Sequence, residues 1–311
     1  MKRWNYFFKR WQNMLGLFLI LIFVFLALLA PQISPMDPKS PGPFKKVGSG
    51  VKLDPTPPND EAVLGTLPKQ IDVFHALVWG TRDALIFGLI VVISTGVFGV
   101  FFGAVSGYAG NAVNNVMMRI ADAFLAFPVI AGVVFLQQLI LAAMGGSLSA
   151  ADLGHSELPE FMQLLLQYIS PMTMGLILFS WMPYARLINS TVINLKGAEF
   201  ITAARVIGLR PSRVLWRHLI PNAISPAIVL AARDMGWMVV LQATFTFIGM
   251  PGGSIWGEIL VRGRGWFMGA GGNIFAYWWV ILPTTLAVIL FGIGWNLLGD
   301  GLNDLLDPNI Y

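Results

Sequence analysis

Long stretches without a single Asp, Glu, Lys or Arg decide most of what this 311-residue chain can fold into. No acidic or basic side chain occurs in Trp11–Met36, Ala84–Met118, Ala123–Ala151, Phe161–Ala185 or Gly265–Gly299. The hydrocarbon core of a bilayer is about 30 Å thick, and about 20 mostly apolar residues cross it as a helix. The apolar hearts of these stretches lie at Leu15–Ala30, Leu85–Val105, Pro128–Met144, Phe161–Ala185 and Tyr277–Leu298. A further run, Pro226–Phe247, is interrupted by Arg233 and Asp234. The pattern predicts an all-α, polytopic membrane protein with six transmembrane helices.

Composition agrees. Hydrophobic residues make up 56% and charged residues 12% of the chain, against about 45–50% and about 25% in a soluble domain. The mean hydropathy of +0.70 also argues against an outer-membrane barrel, whose alternating strands give a weaker bulk signal. The chain has no cysteine, so it has no disulfide and no thiolate metal site. His75, His155 and His218 sit in no ligand spacing. No nucleophile–base pair is evident, so no catalytic, metal or cofactor residue is expected and the chain does not read as an enzyme. The net charge of +4 marks cytoplasmic loops in so apolar a chain, not nucleic-acid binding.

Lys2, Arg3, Lys9 and Arg10 precede the first apolar run as they would in a signal peptide. The run is long for a signal, and Leu28-Leu29-Ala30 before Pro31 is a poor cleavage site, so residues 1–30 read as a cytoplasmic N-terminus and a retained first helix. Placing that N-terminus inside puts eleven of twenty Lys and Arg residues on the inner face and leaves Gly145–Tyr168, which has no basic residue, outside. Six crossings return the C-terminus to the cytoplasm. Residues 31–83 form a proline-rich outer loop, extended, with room for a small hairpin around Val47–Val51. It reads either as a spacer or as a surface for an extracytoplasmic partner. Residues 84–311 then hold five helices and, at 191–225, a cytoplasmic loop.

That loop carries the most specific pattern. Phe200, Ala203, Ala204 and Ile207 recur at helical spacing, with Glu199, Thr202 and Arg205 on the polar side. Gly208 stands where a left-handed cap would end the helix, and Pro211 opens a second one. Val214, Leu215, His218 and Leu219 line a face of the second helix, which Pro221 is expected to close. The loop therefore reads as a helical hairpin on the inner membrane face, fit either to fill a groove in a partner or to rest on lipid headgroups.

The order Glu199, Ala203-Ala204, Gly208, Ile220-Pro221 resembles the EAA loop of the permease subunits of binding-protein-dependent ABC importers. Further stretches resemble the C-type permease of dipeptide, oligopeptide and nickel importers: Leu64-Gly65-Thr66, Asp72, Gly80-Thr81-Arg82, Gly107-Tyr108, Met118-Arg119 through Asp122 to Ala126-Phe127-Pro128, Tyr184–Ile188, and Asn296–Pro308. The resemblance weakens over residues 36–62 and at Leu67-Pro68-Lys69-Gln70. It implies a type I ABC importer permease fold in a bacterial or archaeal cell (inner) membrane. Implied partners are a B-type permease, two ABC ATPases that carry ATP and Mg, and a solute-binding protein. It implies that Glu199, Ala203, Ala204, Arg205, Gly208 and Pro221 form the ATPase-coupling element, and that the cargo is a peptide, nickel or another small solute. The chain has no Walker A run, so it holds no nucleotide itself.

Arg233 and Asp234 lie inside the fifth span, where an arginine costs about 2.5–3.5 kcal/mol at mid-bilayer. Adjacent helical residues do not face each other, so each needs its own partner. With Gln242 they either line a translocation path or, as the alternative, form a structural pair at the inner leaflet. An ion-coupled secondary transporter would need more such residues deep in several helices. Arg119 and Asp122 read as a local pair, and Gly96, Gly99, Gly103 and Gly107 as a seam for close helix packing, against a homologous second permease, in preference to a solute contact.

Overall fold

A computed structural model describes residues 7–38, 41–48, 52–143, 169–250, 252–269 and 272–306, with single positions at 159, 161, 164 and 166. Among the described residues the chain is mainly helical, with two short strands. Its elements are α1 (Trp11–Leu28), α2 (Ala30–Ile33), β1 (Thr66–Leu67), β2 (Ile71–Asp72), α3 (Val73–Ala109), α4 (Asn111–Ala126), α5 (Val129–Ala143), α6 (Pro171–Phe179), α7 (Met182–Leu195), α8 (Glu199–Val206), α9 (Pro211–Val214), a π turn (Leu215–Leu219), α10 (Ile220–Ala223), α11 (Ser225–Phe247), α12 (Ile255–Met268) and α13 (Trp278–Leu306).

Four of these, α1, α3, α11 and α13, are long and apolar enough to cross a bilayer. They match the first, second, fifth and sixth charge-poor runs. A fifth span is made if α4 and α5 count as one element, bent by 86°. The bend falls at Phe127, whose extended backbone (φ −82°, ψ 130°) is the conformation that a following proline imposes. The continuous fourth helix expected to Ala185 is interrupted. α6 ends at Ser180 (φ −129°, ψ 4°), and α7 restarts with Pro183 in its first turn, where a missing N–H costs nothing. The six-helix count is thus met only in part, because residues 144–158 and most of 159–168 lie outside the description.

The chain packs as two compact units, residues 8–89 with 235–298, and residues 90–234 with the terminal segments 1–7 and 299–311. In the first unit α1 lies against α13 so closely that a β-carbon on Gly16 would come within 2.6 Å of the Leu297 β-carbon. Trp256 of α12 is fully buried, packs edge-on to Phe23 and Phe291, and donates its indole N–H to the Leu77 carbonyl (3.1 Å). Asp72 caps α3 by accepting from the Phe74 N–H (2.9 Å), so this helix begins well before the charge-free run. The loop before α3 holds a hairpin, β1–β2, turned by Lys69 and Gln70 at positive φ. Most of the Val47–Val51 segment, residues 49–51, lies outside the described residues; at its start the chain adds to β1–β2, through a Lys46–Ile71 bridge and a Val47 N–H bond to the Gln70 carbonyl (2.8 Å). The Ser34 hydroxyl and the Gly42 carbonyl hold the two nitrogens of buried His75 at 2.7 and 3.1 Å, and so tie this loop to α3.

In the second unit the glycines of α3 seat α7. A β-carbon on Gly99 would lie 2.5 Å from the Trp181 carbonyl oxygen, one on Gly107 would lie 2.9 Å from that of Asn189, and one on Gly103 would strike that of Ala185. The seam is therefore filled inside this chain. Asp122 of α4 pairs with Arg186 of α7 (3.4 Å), not with Arg119 one turn away.

Candidate coupling site

The 191–225 loop folds as a hairpin built on α7. Glu199 sits in the first turn of α8 and Arg205 in the last, both placed favourably for the helix dipole. Gly208 adopts φ +80°. The Gly208 N–H bonds the Arg205 carbonyl (2.9 Å) and the Leu209 N–H bonds the Ala204 carbonyl (3.2 Å), which is the Schellman pattern that closes a helix on a left-handed residue. Pro211 then starts α9. Pro221 does not close the second helix, contrary to the sequence reading. Five residues of π turn precede it, and α10 runs on through it. The wider i→i+5 turn absorbs the loss of the proline N–H.

The hairpin is anchored from below. Ile201, Ala204, Val214, Leu215, Leu219 and Ala223 join Ala104 of α3 and Tyr184, Ile188 and Val192 of α7 in one buried cluster. Lys196 donates to the Tyr108 carbonyl (2.7 Å), and both Lys196 and Arg205 lie over the Tyr108 ring, at 5.7 and 5.6 Å. Buried Asn189 donates to Ser106 Oγ (2.7 Å) and Asn114 Oδ1 (2.6 Å), which locks α7 to α3 and α4. Burial also corrects the face expected for α8. Ala204 points inward with Ile201, whereas Ala203, Phe200 (44% exposed), Val206 (84%) and Ile207 (78%) are left outside. The apolar residues of this short helix thus split between a buried seat and an uncovered outer surface.

A family profile described as "Binding-protein-dependent transport system inner membrane component" matches residues 99–310, a range that contains the whole hairpin. The chain belongs to this family. A second profile, the N-terminal TM domain of oligopeptide transport permease C, matches residues 2–51 of the permease. The permease is 28% identical over 313 residues to a dipeptide transport system permease protein of Haemophilus influenzae, covering 99% of this chain and 94% of that relative. It is 27% identical over 314 residues to one of Alkalihalophilus pseudofirmus, covering 99% and 90%. A glutathione transport system permease protein of Pectobacterium atrosepticum is 26% identical over 315 residues, covering 99% and 91%.

The three candidate path residues do not form one constellation. Arg233 is exposed and donates to Asp300 of α13 (2.6 Å). Asp234, one residue on, faces the buried Tyr184 hydroxyl, which makes no hydrogen bond of good geometry. Gln242 is buried eight residues further along α11, and its Oε1 has no partner among the described residues. Sequence reasoning did not single out Asn189, Lys196 or Tyr108 as anchors. Their partners are 75 to 88 residues away in sequence, beyond any local pattern. Among the described residues no group of three or more His, Asp or Glu is placed to hold a metal.

Proposed function

We propose that the permease is the C-type membrane subunit of an ATP-driven importer of short peptides, and that the α8 hairpin is the handle by which a separate ATPase subunit moves it. The observation that carries this reading is the surface of α8. A helix held rigidly from below by a buried cluster leaves Phe200, Val206 and Ile207 uncovered at its outer face. Exposed apolar surface on a short, rigid, capped helix suits a groove in a partner. Glu199, Ala203, Arg205 and Gly208 would lie in or beside that contact, whereas buried Ala204 seats the hairpin and exposed Pro221 lies in the α10 turn that continues it. The peptide cargo is inferred from relatives named as dipeptide and glutathione permeases.

In this reading the chain crosses the membrane six times with both termini in the cytoplasm. It pairs with a homologous B-type permease and receives solute from an extracytoplasmic binding protein. Two ATPases bind ATP and Mg and close on each other, and their closure moves the coupling helices. Alternating access follows because each nucleotide state favours one conformation. Arg233, Asp234 and Gln242 are proposed to lie along the path. The test is uptake of a labelled dipeptide in cells that express the full transporter, with ATP depleted but the proton gradient kept. Uptake should stop; persistent uptake would point to ion coupling and overturn the reading.

A further inference from the structure

An open apolar groove of about 350 Å³ lies where α3, α10 and the first turns of α11 meet. Its walls include Ile93, Val97 and Phe101 of α3 and Trp216, Ile220 and Ile228 across from them. Phe101 and Trp216 stack at 6.0 Å. Ile93, Val97, Phe101, Trp216 and Ile228 all remain exposed.

The surroundings of the groove are basic. Between Glu199 and Asp234 the sequence has no acidic residue and five arginines. Arg205 is committed to Tyr108 and Arg233 to Asp300. Arg210, Arg213 and Arg217 are exposed, and among the described residues no carboxylate pairs with them. Arg213 lies three residues before Trp216 and Arg217 one residue after it, so two exposed arginines four positions apart sit in the same segment as the tryptophan that lines the groove. Tryptophan favours the headgroup level of a bilayer.

We infer that this groove holds an acyl chain of an anionic phospholipid of the inner leaflet, with its phosphate between Arg213 and Arg217. A transmembrane helix is a poor occupant. It is about 10–12 Å across, and helix contacts in membranes favour small residues that let backbones approach. The rim here is bulky: Ile93, Val97, Phe101 and Ile228. Of the glycines nearby, Gly96 turns toward the Tyr184 ring (3.7 Å from its ideal β-carbon). An acyl chain matches a narrow aliphatic slot, and the paired arginines match a phosphate. The lipid would brace the base of the hairpin against α3 while leaving the outer face of α8 free. The choice of leaflet rests on the proposed cytoplasmic placement of the hairpin.

The test is native mass spectrometry of the purified full-length chain, titrated with phosphatidylglycerol and with phosphatidylcholine. Each surface arginine adds roughly fivefold to the affinity for an anionic headgroup. Phosphatidylglycerol should therefore bind at least about fivefold more tightly than phosphatidylcholine. Arg213→Gln combined with Arg217→Gln should abolish that preference, and Ala231→Phe, which fills the slot, should weaken both lipids. Equal binding of the two lipids, or a preference that survives the double substitution, would overturn the inference. So would disulfide capture of Val97→Cys by a cysteine on a second permease, a clean experiment because the chain has no cysteine of its own. If the hairpin proves to face outward, the importer reading falls, while the measured lipid preference still reports on the groove.

Discussion

Replacing Val206 and Ile207 together by serine separates the two faces of α8. In the chain alone these side chains are 84% and 78% exposed, so their loss should change its own stability by less than about 0.5 kcal/mol each. Docked in an ATPase cleft, a fully buried Val or Ile contributes about 1.5–3 kcal/mol. Most of each side chain is available for that burial, and part of the gain is offset by ordering the interface. A combined loss of about 2–4 kcal/mol is expected, which weakens ATPase association roughly 30- to 800-fold. The assay titrates purified ATPase subunits onto the detergent-solubilised permease and follows membrane level and thermal unfolding in parallel. Normal level and melting with lost association and lost uptake is the expected outcome. Unchanged association with an intact protein would refute the reasoning, as would a variant that simply unfolds.

Ala204→Leu should overpack the buried seat at a cost of about 1–3 kcal/mol and lower the amount of folded permease. Ala203→Leu, on the exposed side, should leave that amount unchanged and weaken ATPase binding; equal membrane levels in immunoblots of both variants would contradict the assignment of faces. Gly208→Ala has open space around it but must hold φ +80°, so about 1–2 kcal/mol of hairpin stability should be lost, and Gly208→Asn should recover much of it. Limited proteolysis at the Gly208 turn reads the difference. Gly103→Ala would drive a methyl group into the Ala185 carbonyl and should force α3 from α7, seen as a loss of monodisperse protein; a normal melting curve would count against the seam.

α1, α3 and α13 were legible because each contains a long uncharged run, which has few alternatives, and α11 because Arg233 and Asp234 are the only charges in an otherwise apolar stretch. The turn at Gly208 and Pro211 was legible because each residue type suits one backbone role. The buried face of α8 was not, since Phe200, Ala203, Ala204 and Ile207 satisfy a helical period and nothing local tells a seat from a docking surface. α12 was also missed, because it falls between the apolar runs and carries Glu258, Arg262 and Arg264. Ser254 caps the helix, accepting from the Gly257 N–H (3.3 Å), while buried Trp256, Ile259 and Gly263 recur at helical spacing. Those residues were the available signal. The Asp122–Arg186 pair lies 64 positions apart in sequence, so the nearer Arg119 was the natural but wrong partner. The uninterrupted fourth helix failed at Ser180 because its local cue, Pro183, was outweighed by the hydrophobicity around it.

Placing a single cysteine at Ile207 in the intact transporter tests the motor attachment most directly. Oxidative cross-linking should join it to a cysteine in the cleft of an ATPase subunit, with a yield that changes when ATP is added. Failure to cross-link to either ATPase, together with labelling of the same cysteine by an impermeant reagent from outside the cell, would contradict it.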